Sequence, residues 1–220
     1  MSRLDGDYHV TGTLTAGAMV ASDNMISSNS HIRAGAGITR AKMAQVAAAV
    51  FPIPLASMRI WNSWQPLPAA ATADDLGAIA GTWATDVPHV ESSDSGQTST
   101  TQYMGFEFTL PDDYDEAETL TLRIPAKMRV VADGSATVDV EAYLSDGNAA
   151  VSGGDLIATA ATTINSADWA NKDFTITATS RAPGDRIFFR VAVAIVDTNT
   201  VADHVTAWLG DIEILADIRS

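Results

Sequence analysis

"RIFFRVAVAIV", Arg186–Val196, decides the fold: nine of its eleven residues are aliphatic or aromatic, only Arg186 and Arg190 being charged, and it reads as one long strand. Strand-like segments surround it. "TLTLRIP" (Thr119–Pro125) sets Leu120, Leu122 and Ile124 on one face, and "ATVDVEAYL" (Ala136–Leu144) does the same with Val138, Val140 and Ala142. "YMGFEFTLP" (Tyr103–Pro111) places Tyr103, Met104, Phe106, Phe108 and Leu110 mostly at period two. "DFTITATS" (Asp173–Ser180) adds Phe174 and Ile176, and "HVTAWLGDIEILADI" (His204–Ile218) adds one or two strands more. "DGS", "SDGN", "SGGD" and "APGD" between them supply positive or fixed φ for turns. Some eight strands with no helices between them predict an all-β antiparallel β-sandwich, jelly-roll-like, over residues 53–220, and exclude a parallel βαβ sheet.

With 46% hydrophobic and 18% charged residues, the 220-residue chain can build a core. Its 27 acidic against 13 basic residues, net −14, argue against wrapping nucleic acid, which needs Lys and Arg clusters. The absence of Cys removes disulfides, Cys-based zinc sites and thiol nucleophiles, and suits maturation in a reducing cytoplasm. "MSRLDGDYHV" has no apolar core of signal-peptide length, and no run of ~18 apolar residues marks a membrane span.

Ahead of the sandwich the pattern changes. "YHVTGTLTAGAMV" (Tyr8–Val20) resembles a strand without a nearby partner, and "SDNMISSNSHIRAGAG" (Ser22–Gly37) reads as extended or loop, so residues 1–38 form an N-terminal arm. Residues 1–60 are mildly basic (+2) while the remaining 160 carry −16, as for an arm that meets a surface and a body that faces solvent. "GITRAKMAQVAAAVFPIP" (Gly37–Pro54) predicts one short helix within residues 39–52, with Thr39 as N-cap, Arg40–Val50 as its body and Pro52 and Pro54 as its stop. Ile38, Met43, Val46 and Val50 are the candidate seam of a homotrimer, the last three at spacings of three and four. Packing on the chain's own body is the alternative.

Catalytic and metal signatures are missing. Asp112, Asp113, Asp115, Glu116 and Glu118 crowd one turn, where they repel one another rather than straddle a substrate, and no Ca²⁺-loop pattern is present. His9, His31, His89 and His204 lack zinc-site spacing, and there is no GxSxG elbow. No enzyme activity, metal or cofactor is therefore expected. Trp61 and Trp64 in "RIWNSWQP" offer two readings: core or subunit interface, the commoner fate, or a sugar-stacking platform. Trp83, Trp169 and Trp208 read as core or rim.

The succession of "VTGTLTAGAM" (Val10–Met19), a polar spacer, "ITRAKMAQ" (Ile38–Gln45), a Pro-flanked lead-in, "SATVDVEAYLSD" (Ser135–Asp146) and "DFTITATSRAPGDRI" (Asp173–Ile187) resembles virion structural proteins of tailed bacteriophages, of the head decoration, cement or head-fibre type. The resemblance implies a non-enzymatic protein on the capsid surface, assembled in the host cytoplasm, that stabilises the shell and commonly trimerises. Its expected partners are the major capsid protein and sister subunits, met through Tyr8, Val10, Thr11, Gly12, Leu14, Met19, Ile26, Ile32 and Arg33 as an added strand. The alternative function is a tail-fibre or head-fibre adhesin that binds host surface glycans.

Overall fold

Strands whose alternate side chains are apolar must bury one face, and two such sheets satisfy each other by packing inward faces together. The computed structural model describes residues 46–79, 87–94, 99–116, 118–129, 132, 134–145, 151–152, 154–198 and 205–219, all within one compact unit, Ala44–Ser220. In chain order the strands are β1 (Val46–Pro52), β2 (Gly77–Ile79), β3 (His89–Glu91), β4 (Ser99–Thr109), β5 (Leu120–Met128) and β6 (Gly134–Ser145). They continue with β7 (Val151–Ser152), β8 (Thr162–Thr163), β9 (Ala170–Thr175), β10 (Arg186–Asp197), β11 (Ala207–Leu209) and β12 (Glu213–Arg219). A 3₁₀ turn occupies Leu55–Ser57.

The protein is an antiparallel, jelly-roll-like β-sandwich. The first sheet runs β1-β12-β5-β11-β3-β2, with β9 on the other edge of β5. β11 and β12 lie end to end along β5, pairing with Ala126–Met128 and Leu120–Arg123 respectively. The second sheet runs β4-β10-β6, with β7 and β8 sharing the far edge of β6. The chain crosses between sheets from β4 to β5 to β6, and again from β9 to β10 to β11.

Burial follows the period expected from sequence. Leu120, Leu122 and Ile124 of β5, Val138, Val140 and Ala142 of β6, and Met104 and Phe106 of β4 are all buried, as are five alternate residues of β10 from Ile187 to Ile195. Phe106 and Phe189 stack at 4.8 Å in this core. Buried Gln102 donates to the Thr72 carbonyl and accepts from the Ser93 amide at 2.7 Å, tying two loops to β4. The acidic turn is anchored by buried Tyr114, whose hydroxyl donates to the Glu118 carbonyl at 2.9 Å, while Asp112, Asp113, Glu116 and Glu118 face solvent.

The short helix expected within residues 39–52 is corrected over its described part. Val46–Pro52 is a strand, paired from Val46↔Arg219 to Pro52↔Glu213 with β12. The Ala run favours helix by only a few tenths of a kcal/mol per residue, and a helix of that length is marginal in water. A seven-residue ladder with β12 outweighs that preference, reinforced by Phe51 packing on the core and against Phe108 at 5.7 Å. Pro52 fits because β1 is the edge of the sheet among the described residues, where a missing N–H interrupts no second ladder.

Candidate functional site

Outward-facing residues of three strands form a groove on the second sheet. The register fixes its plan. Arg190 lies between Gly105 and Glu141, Ala192 between Tyr103 and Asp139, and Ala194 between Thr101 and Thr137. Two alanines on the central strand thus leave a trough between taller neighbours, a cavity of about 250 Å³. Thr101 and Tyr103 line one wall; Thr137, Asp139 and Glu141 line the other.

Arg190 closes one end of the trough and ties it to the aromatics. Its Nη2 lies 2.6 Å from both oxygens of Glu141, and its guanidinium sits 5.4 Å from the Tyr103 ring centre and 5.5 Å from that of Trp61. Glu141 also accepts from the Tyr143 hydroxyl at 3.1 Å; burial first, then this carboxylate, holds the Tyr143 phenol above its ordinary range. The Arg190 Nε is buried without a hydrogen-bond partner among the described residues.

Trp61 and Trp64 reach this place on a tight loop. Arg59 exchanges two 2.8 Å backbone hydrogen bonds with Gly105, the Ile60 amide donates to the Gln65 carbonyl and the Trp64 amide donates to the Ile60 carbonyl. The two indoles meet edge to face at 6.4 Å, and Trp64 meets Phe188 of β10 in the same way at 5.5 Å. They lie so close over β4 that a Cβ on Gly105 would stand 2.9 Å from each ring. Only glycine lets them settle there. Trp64 has φ of 55°, a left-handed conformation that costs a bulky residue roughly 1–2 kcal/mol. A strained backbone that presents a ring 37% exposed is a pattern concentrated at binding sites. Neither indole N–H has a hydrogen-bond partner among the described residues.

Of the residues singled out from sequence, Trp61 and Trp64 pack edge to face on each other, a contact that fits an interface as well as a sugar-stacking platform. Tyr8, Val10, Thr11, Gly12, Leu14, Met19, Ile26, Ile32, Arg33, Ile38 and Met43 lie outside the described residues. Val46 and Val50 fall in β1, where Val50 is exposed; the helical stripe that made them a trimer seam does not exist over that segment. Sequence reasoning did not single out Tyr103, Asp139, Glu141 and Arg190 as a site. Their one signal is position: outward places of period-two strands, the ordinary pattern of a solvated face. Among the described residues no group of three or more His, Asp or Glu is placed to hold a metal, and no helix is long and apolar enough to cross a membrane.

No family model matches the chain, and no curated protein does. Solved structures with a similar sandwich include the CBM22-1–GH10 modules of Clostridium thermocellum xylanase 10B, at 11% identity and a TM-score of 0.39. That match covers 79% of this chain and 28% of the longer xylanase chain. The CBM22-1 xylan-binding domain of Paenibacillus barcinonensis Xyn10C is 10% identical, covering 79% of this chain and 95% of that one, with a TM-score of 0.37. The K3 adhesin domain of Porphyromonas gingivalis Lys-gingipain is 17% identical over 74% of this chain and 93% of that one, with a TM-score of 0.38. At such identities and scores these likenesses concern architecture and assign no ligand to this chain.

Proposed function

We propose that the protein is a non-catalytic glycan-binding module whose ligand lies in the trough of the second sheet. The carrying observation is the joining of two chemistries across that trough. Tyr103 in one wall supplies an aromatic surface for the C–H face of a sugar, with the Trp61–Trp64 pair beyond the Arg190 end as its continuation, while Asp139, Thr101 and Thr137 supply hydrogen-bonding groups for its hydroxyls. Binding without hydrolysis follows from the placement of the carboxylates. Asp139 and Glu141 stand two residues apart on one wall and Glu141 is held by Arg190, whereas the facing wall presents Thr101 and Tyr103. A glycosidase sets its two carboxyls on opposite sides of the scissile bond. In the phage setting that the sequence layout implies, such a module would serve as an adhesin, with residues 1–38 as its attachment; co-sedimentation of the full chain with phage particles tests that setting separately.

The test of binding is a glycan array followed by titration calorimetry on the full chain and two variants. Trp61→Ala should weaken binding about ten-fold. Trp64→Gly should do the same while leaving stability within about 1 kcal/mol, because relief of the left-handed backbone offsets the lost edge contacts with Phe188 and Trp61. Retention of full affinity by both variants would overturn the reading.

A further inference from the structure

We propose that the trough is selective for neutral glycans and that Asp139 sets this selectivity, an inference that rests on the glycan-binding reading above. Three charged side chains line the trough, and two of them cancel. Arg190 lies 2.6 Å from both Glu141 oxygens, so its positive charge is already matched. The Asp139 carboxylate has no hydrogen bond or ion pair among the described residues. It faces Tyr103 across Ala192, one of the two alanines that form the floor of the trough. The local balance is one uncompensated negative charge, in a chain whose net charge is −14.

An uncompensated carboxylate beside an aromatic wall discriminates in two directions. It accepts hydrogen bonds from two neighbouring hydroxyls of a sugar, and such charge-assisted bonds are about twice as strong as neutral ones. It repels the carboxylate of a uronic or sialic acid laid in the same place, and a like-charge contact of this kind costs several kcal/mol where water is excluded. Arg190 does not rescue the acidic sugar, because accepting it would require breaking the pair with Glu141 and leaving that carboxylate unmatched. Arg190 to Ala194 spans about 13 Å at ~3.3 Å per residue, room for two or three pyranose rings along β10, so one of them lies against Asp139.

The experiment compares oligosaccharides of equal length by titration calorimetry at fixed ionic strength. The neutral set is cello-, manno- and N-acetylchito-oligomers; the acidic set is oligogalacturonate, oligoalginate and polysialic acid fragments. The expected result is binding to a neutral member at least about ten-fold tighter than to any acidic one, with Asp139→Asn narrowing that gap by weakening the neutral ligand and admitting the acidic ones. Acidic oligomers that bind the unmodified chain equally well, or an unchanged gap in Asp139→Asn, would overturn the selectivity and leave glycan binding intact. Failure of every neutral and acidic oligomer to bind would overturn glycan binding itself, and the selectivity with it.

Discussion

Two tryptophan clusters stand on the two outer faces of the sandwich, and exposure does not tell them apart: Trp64 on one is 37% exposed and Trp169 on the other 39%. The difference lies in what the rings are already doing. On the first sheet, Trp208 donates its Nε1 hydrogen to Glu91 at 2.8 Å and to Thr206 at 3.0 Å, and its ring stacks on buried His89 at 4.2 Å. Lys127 lies over both Trp208 and Trp169, at 4.3 and 5.0 Å, and Trp169 rests within 3.3 Å of the space above Gly210. Every face and polar atom of Trp208 is engaged inside the chain. Across the sandwich, Trp61 and Trp64 keep their N–H groups open, and Trp64 is held there against backbone strain. Trp169 also lacks a hydrogen-bond partner for its indole among the described residues, so the contrast rests on the fully engaged Trp208 and on the strained backbone of Trp64, the feature that the glycan-binding proposal uses.

The largest expected effect comes from damaging the satisfied cluster. Trp208→Ala removes a well-packed indole, takes two hydrogen bonds from the Glu91 site and uncovers His89, so it should cost roughly 3 kcal/mol and lower Tm by about 10 °C. Glycan affinity of the folded fraction should not change. Thermal denaturation beside calorimetry reads both quantities, and a parallel loss of affinity would erase the distinction between the two faces.

Gly105→Ala attacks the open cluster from beneath. The new methyl would lie 2.9 Å from Trp61 and from Trp64 and 3.2 Å from the Phe189 carbonyl, so the indoles must lift off β4. Overpacking of this kind costs about 1–2 kcal/mol. Affinity should fall at least about ten-fold, a loss larger than the damage to stability implies. Unchanged affinity would show that the close seating of the two rings is irrelevant to binding.

The same contrast explains how far the sequence could be read. β4, β5, β6 and β10 announce themselves because each is long, two-faced and of period two, and their inward residues are those expected. The short strands β2, β7 and β8 are two or three residues long, below the length at which a period can be seen. β1 was concealed by alanine: local preference pointed to helix, while the partner that overrides it, β12, lies more than 160 residues away. The site divides in the same manner. Trp61 and Trp64 are neighbours and conspicuous, so their pairing is legible in the sequence, while their use as interface or platform is not. Tyr103, Asp139 and Arg190 come from three strands, and only the pairing of β10 with both β4 and β6 sets Ala192 between Tyr103 and Asp139. The hydrophobic pattern fixes which face of each strand turns inward, but which outward residues stand opposite each other is settled only once the three strands are paired.

The smallest expected effect is a pH dependence confined to the satisfied cluster. Burial raises the Glu91 carboxyl, but the His89 ring first, its Nε2 3.8 Å from the second oxygen, and then hydrogen bonds from Thr206 and Trp208 outweigh that cost and leave it below the ordinary 4.5. A carboxyl lowered in the folded state binds its proton more readily when unfolded, so its contribution to stability is present above about pH 4.5 and is lost as pH falls through the folded value. Other carboxylates titrate in the same range, Asp173 beside Arg123 among them, so the informative quantity is a difference. Stability of the unmodified chain minus that of Glu91→Gln, followed by urea denaturation from pH 7 to pH 3, should shrink toward acid. Glycan affinity should show no corresponding step, because Glu91 belongs to the sheet opposite the trough. A flat difference would mean that Glu91 holds Trp208 by shape alone, and a matching step in affinity would mean that the two faces communicate through the core.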